Sequence, residues 1–263
     1  MSAESTDEAP VLYEIDDGIG ILTLNNPARM NAISIPVLTA LKSRLNEISS
    51  DPEVRVVILR ANGTVFSSGH DLRELLQGSE SENAVLFHMC TEMMEAIRLL
   101  PQPVIAQVQG LATAAGCQLV ASCDLAVAAE SARFATPGVR TGLFCTTPGV
   151  ALARAVPPKK AMEMLLTGIP ITAQEALQFG LVSRVVPDDA LGEQAMKLAR
   201  HIAQASSYTL AAGKRGFYRQ IGRDYPEAYA AAEQVMTENM QAHDAREGID
   251  AFLTKREPEW TDD

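Results

Sequence analysis

The stretch GLATAAGCQLVASCD, residues 110–124, decides how the chain is read. It follows the β-rich run PVIAQV (103–108), opens on small residues and passes into LVAS, so a buried strand turns sharply into a helix. DLAVA (124–128) then reads as the next strand. Small residues at a helix start either let two backbones pack closely or let a ligand reach the free N–H groups of the first turn. Both readings stay open at this point.

Outward from that stretch the same order recurs. VRVVILR (54–60) is a second buried run, followed by FSSGHDL (66–72), which turns into a helix near Asp71. Residues 82–100 carry Val85, Met89, Met93, Ile97 and Leu100 at helical spacing. VLYEIDDGIGILTL (11–24) predicts a hairpin around Asp16, Asp17 and Gly18. Ser34 and Pro36 mark a helix start whose apolar face holds Val37, Leu38, Leu41, Leu45 and Ile48. Thr172 and Glu175 form a capping box for a helix that Gly180 ends. Beyond about Leu191 the pattern is helical, and Leu210, Phe217, Tyr229, Val235, Met236 and Met240 exceed what a few helices need among themselves. The expected organisation is an acidic tail (1–10), an α/β core (11–202) and a helical oligomerisation region (203–263).

Composition narrows the function classes. With 263 residues and 47% hydrophobic side chains, the chain can bury a core without metal or disulfides. Its net charge of −11, with no basic run, argues against nucleic acid and anionic membranes as partners. Cys90, Cys117, Cys123 and Cys145 lack metal-ligand spacing, so no metal site is expected. MSAESTDEAP has neither a basic nor an apolar leader region, which predicts a cytoplasmic protein.

NPARMNA (26–32), FSSGHD (66–71), residues 110–124 and GIPITAQEALQFGLV (168–182), in this order, resemble the enoyl-CoA hydratase/isomerase (crotonase) superfamily. Residues 110–156 resemble one subgroup in particular. The resemblance implies a spiral of ββα turns with a C-terminal helical trimerisation region, assembled as a homotrimer or homohexamer. It implies an acyl-CoA or enoyl-CoA thioester as substrate in fatty acid metabolism, CoA entering as part of the substrate, with no permanently bound cofactor. The amides of His70 and Ala115 would form an oxyanion hole, and Arg29, Phe252 and Lys255 would reach the nucleotide, the last two from a neighbouring subunit.

Two departures qualify that picture. Hydratases of this superfamily carry glutamates at the positions of Gln118 and Gly138. A glutamine amide exchanges no proton near neutral pH and glycine has no side chain, so two-carboxylate hydration is disfavoured. Gly138 is expected to leave room for a carboxylate or a recruited anion, with Arg140 near. His70 is a candidate base, and Asp71 reads as a helix N-cap. Thr113, Thr136, Cys145, Thr146 and Thr147 are candidate pocket-lining residues. An acyl-CoA-acting enzyme with non-standard proton transfer, a non-catalytic acyl-CoA sensor or scaffold, and a hydratase using another base all remain in play.

Overall fold

A computed structural model of the chain describes residues 9–263, so residues 1–8 of the expected acidic tail lie outside the described residues. Strands β1 (Val11–Asp16) and β2 (Ile19–Leu24) form the predicted antiparallel hairpin. Asp17 and Gly18 between them both have positive φ, 52° and 77°, as a two-residue primed turn requires. β2 is buried along its whole length and pairs in parallel with β3 (Val56–Ala61) after a crossover through α1 (Ile35–Ser49). The five residues expected on the apolar face of α1 are the five it buries.

α2 (Leu72–Gln77) and α3 (Glu80–Leu99) lead to β4 (Val104–Val108). α3 buries Leu86, Cys90, Met93, Met94 and Ile97, whereas Val85 is 54% exposed. A strict four-residue spacing drifts by about 40° per step on a 3.6-residue helix, which is why the pattern through Val85 leaves the buried face.

Next come β5 (Leu111–Thr113), α4 (Ala115–Ser122), β6 (Leu125–Ala129) and β7 (Arg133–Ala135). α5 (Thr146–Ala155), α6 (Pro158–Thr167), β8 (Ile171–Thr172), α7 (Ala173–Phe179), β9 (Arg184–Val186) and α8 (Leu191–Ala203) complete the core. One sheet has the order β1-β2-β3-β4-β6-β9, parallel except for the hairpin, and the other has the order β5-β7-β8. Successive turns give one strand to the large sheet and the next to the small one, so the ββα spiral is present. The predicted Thr172–Glu175 capping box closes reciprocally at the start of α7.

Three helices follow: α9 (Ser207–Gln220), α10 (Tyr225–Asn239) and α11 (His243–Thr254). Phe217, Tyr229 and Met236 on them, and Met240 just after α10, are between 42% and 66% exposed. α9 is anchored to the core by Lys214, whose Nζ lies 2.7 Å from Asp124 Oδ2 and donates to the carbonyls of Ile97 and Gln102. Tyr218 Oη and the Val104 amide donate to the same carboxylate. The Lys214 side chain is 7% exposed, and burial lowers its pKa while Asp124 opposes the shift. Breaking one side of a buried pair leaves an uncompensated charge, which costs about 3–5 kcal/mol. Asp124→Asn should therefore destabilise the chain by about 3 kcal/mol or more in urea unfolding; a loss under about 1 kcal/mol would show that the pair does not anchor α9.

Candidate functional site

Two loops meet where the large sheet hands over to the small one. Ser67 bridges Ala112 in parallel, accepting from the Thr113 amide at 2.9 Å and donating its own amide to Leu111 at 3.1 Å. The contact is backbone on backbone. A Cβ at Gly116 would stand 2.5 Å from the Ser67 oxygen, and one at Gly69, whose φ is +87°, would stand 3.1 Å from the Ala115 nitrogen. Ala114 holds φ at +50°, a strained value for a residue with a side chain, and α4 starts directly after it. Among the described residues no backbone carbonyl accepts from the amides of His70 or Ala115. Both residues line a cavity of about 380 Å³. Two free N–H groups in such a cavity suit an oxygen that gains negative charge.

The His70 ring is fixed from two sides. Its Nδ1 lies 3.1 Å from the Ile33 carbonyl oxygen, and Phe87 packs against it edge-on at 5.6 Å. A carbonyl only accepts, so Nδ1 carries the hydrogen and Nε2 keeps its lone pair; Nε2 is buried without a partner. Burial pushes the imidazole below its ordinary pKa of 6.5, opposed by the Ile33 hydrogen bond. Of the described residues lining this cavity none is Asp or Glu; Arg140 and Cys145 are the other ionisable groups. Cys145 is held protonated, because burial raises its pKa more than the Gly138 amide lowers it. An imidazole that resists protonation when folded binds fewer protons than the unfolded chain below pH 6.5, so its contribution to stability is full above that value and falls with falling pH. His70→Gln should flatten the decline in melting temperature as the pH falls below about 6.5; an unchanged acid limb would contradict the assignment.

Gly138 corrects the expectation of open space. It lies in the 3-10 turn Pro137–Thr141, after which the chain doubles back, with the Leu143 amide donating to the Gly138 oxygen at 3.0 Å. A Cβ at Gly138 would overlap the Leu143 carbonyl oxygen and stand 2.8 Å from Cys145 Sγ. Gly138 has no positive φ, so glycine is required by crowding and not by conformation. Gly138 itself lines the first cavity, whereas Gln118 does not. It lines a second cavity, of about 770 Å³, and Thr147 lines both.

Asp71 is the N-cap of α2, accepting from the Arg73 amide at 2.9 Å, and pairs with Arg29 at 3.2 Å. Arg29, 62% exposed along its side chain, therefore stands beside the residue that follows His70. Phe252, 83% exposed, and Lys255, which ends α11, line neither cavity. Cys145, Thr146 and Thr147 line the smaller cavity, whereas the Thr113 hydroxyl donates to the Ser68 carbonyl and Thr136 is fully buried nearby. Arg140 lines the cavity and donates through Nε to the Thr167 carbonyl. Sequence reading missed Phe87, which has no motif around it and meets His70 only through the packing of α3.

The crowding at Gly138 makes a direct prediction. Gly138→Ala should lower stability by about 1–3 kcal/mol, the usual cost of overpacking, with a weaker site as the Leu143 turn shifts. An unchanged melting temperature would mean that the turn gives way freely.

Comparison with known proteins places this geometry. The family model described as Enoyl-CoA hydratase/isomerase matches residues 14–263. Rat enoyl-CoA hydratase domain-containing protein 3, mitochondrial, is 51% identical over 93% of this chain and 82% of its own length. The crystal structure of the human protein of that name superposes with a TM-score of 0.93 at 51% identity, covering 95% of this chain and all of that one (100%). An enoyl-CoA hydratase structure from Mycobacterium smegmatis gives 0.94 at 48% identity, covering 96% and 99%. The rat, frog, mouse, human and zebrafish relatives are all named mitochondrial, which overturns the cytoplasmic expectation and points to mitochondria. That expectation rested on the first ten residues, and residues at the start of this chain carry no information about leaders on longer relatives. The chain belongs to the enoyl-CoA hydratase/isomerase family and has the crotonase fold.

Proposed function

We propose that the chain binds an acyl-CoA or enoyl-CoA thioester, polarises its carbonyl with the amides of His70 and Ala115, and moves a proton with the His70 imidazole instead of a carboxylate pair. The observation that carries this reading is the unpartnered Nε2 of a neutral, buried imidazole in a cavity whose described lining has no carboxylate. A thioester oxygen held by two amides makes the adjacent C–H more acidic, because the enolate charge falls on that oxygen. A neutral imidazole can take that proton and return it. Hydration requires more: a water must be positioned and its protons managed, for which one base in this cavity is insufficient.

The nucleotide is the anionic part of the ligand, and cations hold it against a net charge of −11. Arg29, paired with Asp71 next to His70, contacts the nucleotide from this chain, and Phe252 and Lys255 reach the nucleotide of a neighbouring copy in a homotrimer or homohexamer. The exposed apolar side chains of α9 and α10 support that assembly.

Two measurements test the reading. Crotonyl-CoA hydration should be slower than in an ordinary hydratase by several powers of ten, each missing acid/base group being worth about 10²–10⁴. Exchange of the α-hydrogen of butyryl-CoA with deuterated solvent should nonetheless proceed, and His70→Gln should abolish the exchange while leaving butyryl-CoA bound. Ordinary hydratase turnover, or exchange that survives in His70→Gln, would sink the imidazole assignment. Binding without exchange would leave the acyl-CoA sensor as the function. Light scattering should give a trimer or hexamer, and neutralising Arg29 or Lys255 should weaken CoA thioesters but not free fatty acids; a stable monomer would remove Phe252 and Lys255 from the site.

A further inference from the structure

The smaller cavity holds one permanent charge that the proposed chemistry leaves unused. Arg140 lines it, together with a thiol held protonated and an imidazole held neutral. None of the described lining residues is acidic, and among the described residues Arg140 enters no ion pair.

The end of α6 builds a seat for this side chain. Arg140 Nε donates at 3.3 Å to the carbonyl of Thr167, the last residue of α6, where a helix leaves its carbonyls without intrahelical donors. The negative end of the helix dipole favours a cation there. Gly168 follows with φ at +58°, and a Cβ on it would stand 3.3 Å from the same Nε and 2.8 Å from Pro137 Cα. Its missing side chain therefore lets α6 approach the turn that carries Arg140. With Nε engaged, the two terminal nitrogens of the guanidinium have no acceptor among the described residues. They form a planar fork that matches a carboxylate or a phosphate.

A CoA thioester offers two sources of such an anion, the phosphates of its nucleotide and a carboxylate on its acyl group. The pantetheine arm separates the phosphates from the thioester. The cavity that Arg140 lines is also the one lined by His70 and Ala115, and its volume of about 380 Å³ lies at the small end of ligand sites. It suits an acyl group and its thioester and is too small for the arm and nucleotide as well. Leu75, Phe87, Leu143 and Pro148 give much of the remaining lining an apolar character that suits methylene groups between two polar ends.

We infer that Arg140 is a specificity-determining residue that pairs with a carboxylate at the far end of the acyl group, so that the preferred ligand is the CoA half-thioester of a short dicarboxylic acid. This rests on the acyl-CoA reading of the same cavity. The guanidinium supplies the local positive charge that such a ligand needs in a chain of net charge −11. It also protects the His70 base: a lone carboxylate nearby would favour the imidazolium, whereas one paired with Arg140 has most of its charge cancelled.

Calorimetric titration of the wild type, Arg140→Gln and Arg140→Lys with glutaryl-CoA, valeryl-CoA and free CoA tests this. The two thioesters have acyl chains of equal carbon number and differ in the terminal group, carboxylate against methyl. The wild type should bind glutaryl-CoA about tenfold more tightly than valeryl-CoA, the value of a charge-assisted hydrogen bond. Arg140→Gln should bring the two thioesters to equal affinity, and Arg140→Lys, which keeps the charge and loses the fork, should retain part of the preference. Circular dichroism reports whether both variants are folded. Equal wild-type affinity for the two thioesters, or a preference that survives in Arg140→Gln, would overturn the role of Arg140 while leaving the acyl-CoA reading intact. A loss of equal size for glutaryl-CoA, valeryl-CoA and free CoA would place Arg140 on a phosphate and overturn it likewise. Failure of both thioesters and of free CoA to bind the wild type would overturn the acyl-CoA reading itself, and this inference with it.

Discussion

The contact that the rest of the site depends on is the close approach of two backbones at Ser67 and Gly116. With 2.5 Å between the Ser67 oxygen and a Cβ at Gly116, no side chain fits there without separating the loops. Gly69 faces the same contact from the other side, near Ala114 and the Ala115 nitrogen. The loops hold this apposition through the Ser67–Ala112 bridge, and the Ile33–His70 bridge ties the first of them to the segment before α1. The amides of His70 and Ala115 are thereby held at one cavity with no backbone acceptor among the described residues, and preorganisation is what gives such donors their value. The positive φ of Ala114 is a local cost that this arrangement offsets.

The segment 110–124 connects several scales of the molecule. Its start crosses between sheets at β5, its middle supplies the Ala115 amide and the Gln118 side chain, and its end, Asp124, anchors α9 through Lys214. The helical region is thus tied to the core at the far end of the same element that opens the site. Tyr218, bonded to Asp124, and Phe217 both line the second cavity, so the docking of α9 shapes the space that Gln118 faces.

What the sequence disclosed and what it hid divide along physical lines. Local chemistry was legible: Asp17 and Gly18 at the hairpin turn, the buried face of α1, and the Thr172–Glu175 capping box all rest on residues a few positions apart. The family motifs also brought His70 and Ala115 to one cavity. Interactions closed by the tertiary fold were hidden. The Ile33 carbonyl that sets the His70 tautomer is 37 residues away, and Lys214 reaches Asp124 across 90 positions. Gly138 was misread for a related reason. A missing side chain suggests empty space, but here the chain reversal through Leu143 fills that space with backbone. No periodicity marks a reversal of that kind.

The lack of a carboxylate in the described lining of the smaller cavity and the neutral imidazole are one electrostatic arrangement. A carboxylate within about 4–6 Å of a histidine favours the imidazolium and raises its pKa, opposing the effect of burial. An imidazolium at neutral pH has no lone pair and serves as a donor only. A glutamate facing the smaller cavity would therefore do more than supply a second base: it would convert His70 from acceptor to acid. With Gln118 turned to the second cavity and Gly138 packed under Leu143, the described lining contains no group that would do this. Desolvation then dominates the His70 equilibrium, and Nε2 retains its lone pair. Gln118 and Gly138 are consequently coupled to His70 through its charge state, because a glutamate brought to this cavity at either position would raise the imidazole's pKa.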